Sequence, residues 1–175
     1  LLAVTPERLP LGILQVQTWF RTDISALAAT RKHAPIETKE TYCWLRAYRH
    51  ACRLAAKAPH TTLVYVADRG CDIYELYHEA HQRQDAPHAE FLIRAAYRDR
   101  RVLPDALADD ATPPATHLQA QLATRPALAT ITFDRPGTAT RSKRTVTQEV
   151  RAGQVYLQAP YRKTKSIADA PVNAI

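Results

Sequence analysis

The strongest constraint on the fold is one short run, Thr61-Thr62-Leu63-Val64-Tyr65-Val66-Ala67, which carries no charge and closes on Asp68-Arg69-Gly70. Its β-rich composition reads as a central strand buried on both faces. Before it, Ile36 to about Lys57 places Trp44, Leu45, Tyr48, Ala51, Cys52 and Ala55 at spacings of three and four, the apolar stripe of a helix that Pro59 stops. After it, a second helix begins near Asp72, a residue suited to capping or to the first turn, with Ile73, Leu76, Tyr77 and Ala80 at helical spacing. Pro87 bounds that helix, and Ala89 to Ala95 reads as another strand.

The opening segment predicts a hairpin. An apolar run to Val4 is followed by the turn-rich Thr5 to Pro10, then by Leu11 to Phe20, where Leu14, Val16 and Thr18 alternate with Gln15, Gln17 and Trp19. Pro10 fits the start of that second arm, where its missing donor is harmless. Residues 22–35 lack a clear period and read as a loop or weak helix. Residues 1–95 therefore read β-β-α-β-α-β, an α/β pattern.

Beyond residue 95 the texture changes. The basic cluster Arg94, Arg98, Arg100 and Arg101 leads into a stretch from Pro104 to Pro126 rich in Ala, Thr and Pro, which reads as a domain or insertion boundary. Three short β-like runs follow, Leu128 to Phe133, Thr145 to Val150 and Gln154 to Gln158, and Val172 to Ile175 looks like the opening of another strand. They predict a small antiparallel sheet with a basic hairpin loop between Asp134 and Arg144.

A length of 175 residues suits one domain, or a core with an appendage, at about 100–200 residues per domain. No apolar run approaches the length needed to cross a bilayer, and neither a signal peptide nor a lipidation motif is present, so the cytoplasm is the expected location with no membrane partner. The absence of methionine and the apolar opening Leu1-Leu2-Ala3-Val4 predict a fragment of a longer chain. Cys43, Cys52 and Cys71 are odd in number and form no C-x-x-C pair, which points to buried thiols rather than disulfides or structural zinc.

The net charge of +7 makes a polyanionic partner plausible. Residues 134–165 concentrate the excess, with eight basic residues against Asp134 and Glu149. A phosphate backbone rewards such a stretch by counterion release, and a solvated basic loop looks the same in sequence.

Asp68 is the residue best placed for chemistry. It stands at the carboxyl end of the central strand, where ligands gather in open α/β sheets, and its carboxylate suits a divalent metal. The alternative is that it caps the turn or helix that follows. His78-Glu79-Ala80-His81 lacks the four-residue His spacing of a zinc protease helix, and four glycines with no phosphate-cradling motif weigh against a nucleotide cofactor. Trp19, Trp44 and the tyrosines of the first helix read as core, and the isolated histidines as surface.

Four blocks in order carry a resemblance: Leu2 to Leu14, Lys39-Glu-Thr-Tyr-Cys-Trp-Leu45, Val66-Ala-Asp-Arg-Gly-Cys-Asp-Ile-Tyr-Glu75 and Phe91-Leu-Ile-Arg-Ala95. The sequence resembles the DDE transposases of the insertion-sequence four group, and the strand followed by D-R-x-x-D-I is the most specific part. The resemblance implies a partial RNase H-like catalytic core over 1–95, with a truncated β-rich insertion over 96–175. It implies two Mg²⁺ or Mn²⁺ ions held by two Asp and one Glu, with Asp68 as the second Asp, a catalytic residue and metal ligand. The first Asp has no counterpart in residues 1–20, and the Tyr-x₂-Arg-x₃-Glu-x₆-Lys helix bearing the Glu is not found, so the chain alone is expected to be inactive. The insertion of the family contacts double-stranded transposon-end DNA, and the complete protein is expected to form a homodimer. Arg94 matches a position implicated in DNA contact. Arg98, Arg100, Arg101, Lys143 and Arg144 are added on charge.

Two other readings stand beside this one. The chain could be a non-catalytic DNA-binding remnant or regulator derived from a transposase, or an unrelated nucleic-acid-binding α/β protein.

Overall fold

The computed structural model describes residues 1–19, 34–97, 99–103, 117–160 and 168–175. Mixed α/β structure is present, divided into two compact units. The expected loop at 22–35, except its last two residues, lies outside the described residues, as do Arg98 and most of the Pro104–Pro126 stretch.

The first unit runs to Ala96 and opens on an antiparallel hairpin, β1 (Leu2–Val4) and β2 (Pro10–Ile13). Its turn is closed by the Arg8 amide on the Thr5 carbonyl and by the Thr5 amide on the Leu9 carbonyl, both at 2.9 Å. Gly12 has φ +140°, a conformation open to glycine, beside the register shift that separates the pairs Ala3–Gly12 and Val4–Pro10. The second arm starts at Pro10 as the sequence indicates but ends at Ile13. The alternation from Leu14 to Thr18 finds no ladder partner among the described residues, and Trp19 is exposed rather than in the core.

A 3₁₀ turn at Ile36–Thr38 precedes α1 (Tyr42–Lys57), so the expected helix starts six residues late. Its inner face buries Leu45, Tyr48, Ala51, Cys52 and Ala55. Then β3 (Val64–Ala67), a 3₁₀ turn at Arg69–Cys71, α2 (Tyr74–Gln82) and β4 (Glu90–Ile93) form a βαβ unit in which Val64 pairs with Glu90 and Ala67 with Ile93 in parallel. Tyr65 and Phe91 meet Tyr48 and Tyr77 at ring-centroid distances of 5.7 to 6.4 Å, an aromatic core between strands and helices. The Glu79 carboxylate on α2 receives Arg49 of α1 at 2.7 Å and Arg83 at 2.8 Å.

The reading of β3 as buried on both faces is corrected. Val64, Val66 and Leu92 are 52%, 67% and 56% exposed, because the described helices pack only the face that bears Tyr65 and Phe91. Hydrophobic strand composition reports the tendency to be covered, not the presence of a cover.

The second unit begins at Tyr97. It contains α3 (Leu118–Ala123), which the Ala/Thr/Pro-rich composition concealed, and four strands: β5 (Ala129–Arg135), β6 (Arg144–Val150), β7 (Gly153–Leu157) and β8 (Ala170–Ala174). The expected single small sheet is instead two separate antiparallel pairs, β5–β6 and β7–β8. The β7–β8 pair carries the core of this unit, where Val102, Val155, Leu157 and Ala170 are buried. The β5–β6 pair is a two-stranded ribbon, and every residue of β5 is exposed. Among the described residues no helix is long and apolar enough to cross a membrane.

Candidate functional site

Chain direction sets the first candidate site. The Glu90 amide bonds the Leu63 carbonyl at 2.9 Å at one end of the β3–β4 pair, and the Arg94 amide bonds the Ala67 carbonyl at 3.1 Å at the other. With Ala67 registered on Ile93, Asp68 and Arg94 leave the carboxyl edge of the sheet side by side. Both are exposed. The position expected for Asp68 is therefore the one observed.

Its side chain has a local job. Asp68 Oδ1 accepts the Gly70 amide at 2.9 Å and caps the 3₁₀ turn, while its carbonyl accepts the Cys71 amide at 3.1 Å. Gly70 is tightly packed: a Cβ there would stand 3.0 Å from Trp44 Nε1 and 3.1 Å from Trp44 Cζ2, so the indole would have to give by a few tenths of an ångström. Asp72 does not cap α2, which starts at Tyr74. It is buried, with Oδ1 accepting the Tyr77 hydroxyl at 2.9 Å and Oδ2 the Ala96 amide at 2.7 Å. Beneath this edge, burial raises the Cys71 thiol to about 12, and its Sγ faces the Tyr65 hydroxyl at 3.8 Å. Cys43, Cys52 and Cys71 are all free thiols, Cys52 and Cys71 buried and Cys43 half-buried.

A two-metal centre needs several hard oxygen ligands converging on one point. Among the described residues no group of three His, Cys, Asp or Glu side chains is placed to hold a metal, and the oxygens of Asp72 are committed to Tyr77 and Ala96. Asp68 offers a single carboxylate, so the described residues do not assemble the ligand set that the resemblance implies.

In the second unit the basic residues expected to contact DNA separate into different settings. Arg100 is half-buried, its guanidinium 5.9 Å from the Tyr97 ring centroid and its carbonyl accepting the Leu118 amide at 2.9 Å. Arg101 is exposed, bridges to His117, and accepts the Gln158 amide at 3.1 Å. Arg98 lies outside the described residues. Lys143 pairs with Asp134 at 3.0 Å, and the bonds from Lys143 and then Thr145 hold the Asp134 carboxyl below its ordinary value.

Arg144 stands at the hairpin-loop end of the ribbon, directly opposite Arg135. Strand alternation puts Ile131, Phe133 and Arg135 on one face with Val146 and Arg144, and leaves Thr130, Thr132, Asp134, Thr145 and Thr147 on the other. Arg135 and Phe133 are functional candidates that the charge count alone did not single out. Period-two alternation within Leu128 to Arg135 carried the signal, because it sets them on a shared face.

The sequence matches no protein-family model and no curated protein.

Proposed function

We propose that the chain belongs to a cut-and-paste DNA transposase of the DDE type, which in complete form cleaves and joins DNA with Mg²⁺ or Mn²⁺ and to which Asp68 supplies one metal-binding carboxylate. The observation that carries this reading is that Asp68 and Arg94 each follow a strand at the carboxyl edge of the parallel β3–β4 pair, within two of the blocks that resemble the transposases. A carboxylate and a guanidinium carried at the same strand edge suit a DNA phosphate that arrives with a cation: Arg94 would meet the phosphate, and Asp68 would supply one oxygen ligand to the cation. The RNase H-like core, the duplex transposon-end partner and the dimer belong to the same proposal.

A second reading, a DNA-binding regulator without catalysis, is favoured by the cap that Asp68 makes on Gly70. The two differ in how Asp68 behaves beside DNA. Without divalent metal, Asp68→Asn removes a charge that repels phosphate and tightens duplex binding several-fold. Under the transposase reading this gain shrinks in millimolar Mg²⁺, because the wild-type carboxylate and the DNA phosphate would together supply oxygens to one cation. Under the regulator reading the gain is the same with EDTA and with Mg²⁺. Fluorescence anisotropy on a duplex in the two buffers decides between them.

A further inference from the structure

We propose that the Phe133 face of the β5–β6 ribbon is a platform for single-stranded DNA, which stacks a base on Phe133 and seats phosphate on Arg135 and Arg144. This rests on the reading of the chain as DNA-binding, and it names a different substrate from the duplex at the Asp68–Arg94 edge.

The ribbon is unusual in what it leaves uncovered. Ile131 and Phe133 are 46% and 44% exposed on a two-stranded pair with no third strand and no covering helix among the described residues. Arg135 and Arg144 are directly opposed on that same face, an arrangement that destabilises a strand pair because like charges are held together. Among the described residues no carboxylate pairs with either of them. The nearby Asp134 projects from the other face, where Lys143 and Thr145 engage it. The ribbon therefore holds two guanidiniums and an aromatic ring open to solvent at a cost in its own stability, which an anionic ligand would offset.

The ring selects the kind of anion. Phe133 and Arg135 are two residues apart on one strand, about 7 Å, within the span of one nucleotide. In duplex DNA each base already stacks on its neighbours, and a flat exposed ring finds no free base face. A single strand offers base faces and phosphates together, the combination that aromatic and cationic side chains use in sequence-tolerant binding. Arg141 continues the positive charge toward the ribbon's tip.

The test is fluorescence anisotropy of the full 175-residue chain with a labelled oligo-dT, with oligo-U and duplex DNA as competitors, and with circular dichroism to establish that each variant is folded. Phe133→Ala and the apolar Phe133→Leu are both expected to weaken oligo-dT binding roughly tenfold. Arg135→Ala/Arg144→Ala should lower the salt slope by about 1.4, and Thr132→Ala on the opposite face should leave binding unchanged. Full affinity in Phe133→Leu, equal loss in Thr132→Ala, or stronger binding of oligo-U overturns the proposal. Duplex binding indifferent to Phe133, with no oligo-dT binding, overturns this platform and keeps the DNA reading. Failure to bind either DNA overturns both.

Discussion

Asp72 Oδ2 accepts the backbone amide of Ala96 at 2.7 Å, across 24 positions of sequence. Because Asp72 follows the turn after β3 and Ala96 follows β4, one buried carboxylate ties together the exits of the two parallel strands. Its other oxygen accepts the Tyr77 hydroxyl, so α2 is held to the same point. The two aspartates of D-R-x-x-D-I thus have opposite roles: Asp72 is internal scaffolding, and Asp68 presents its carboxylate at the surface.

Asp72→Asn is therefore expected to destabilise the chain by about 1–3 kcal/mol, since an amide cannot accept from both partners and leaves a buried donor unmatched. Asp68→Asn keeps a capping oxygen and should change stability by less than about 0.5 kcal/mol. Urea denaturation of the two variants measures the contrast. Equal losses would contradict the division of roles.

Glu79 makes acid stability informative. Burial by itself would raise its carboxyl, but the bonds from Arg49 and Arg83 outweigh burial and hold it below the ordinary value. A lowered folded value means that this contribution is complete above the unfolded value near ~4.3 and is lost as pH falls through the folded one. Glu79→Gln should cost about 1–3 kcal/mol at neutral pH and flatten the decline in stability below pH ~4.5. A variant that retains the wild-type acid limb would show that other carboxylates govern it.

Gly70 is the tight point of the Asp68 turn. Gly70→Ala forces a methyl group against the Trp44 indole and should cost about 1–2 kcal/mol by overpacking. In a Trp19→Phe background, where Trp44 is the remaining tryptophan, its fluorescence emission should shift with the substitution. An unchanged spectrum and melting curve would mean that the indole yields without cost.

Asp134 restrains the basic ribbon. Ionised and paired with Lys143, it removes one positive charge from the ribbon's reach. Asp134→Asn should tighten DNA binding a few-fold and steepen the salt slope by about one charge. A shallower slope would mean that the pair positions Lys143 for DNA instead of masking it.

The legible part of this molecule was local. Spacing along Trp44 to Ala55 revealed α1, Pro59 its end, and the Val64–Ala67 run the strand that presents Asp68. What was not legible depends on partners distant in sequence. Nothing around Val64 and Val66 tells whether a second layer covers them, and Leu14 to Thr18 alternates like a strand without finding a ladder. The role of Asp72 depends on Ala96, and the Arg135–Arg144 opposition on the ribbon's register, both set by pairings that charge counting does not see.

The central proposal, that this chain binds DNA, with Arg94 at the strand edge of the first unit and Arg144 on the ribbon of the second as separate contacts, is tested most directly by anisotropy on duplex DNA across a salt series. The comparison is wild type against Arg94→Ala and Lys143→Ala/Arg144→Ala, each shown to be folded. Binding should weaken with salt, with a slope reduced by about one in the single variant and about one in the double variant, where Arg144 is the charge lost because Asp134 already holds Lys143. A folded chain that shows no salt-sensitive binding to duplex DNA, or a slope that neither variant alters, would contradict it.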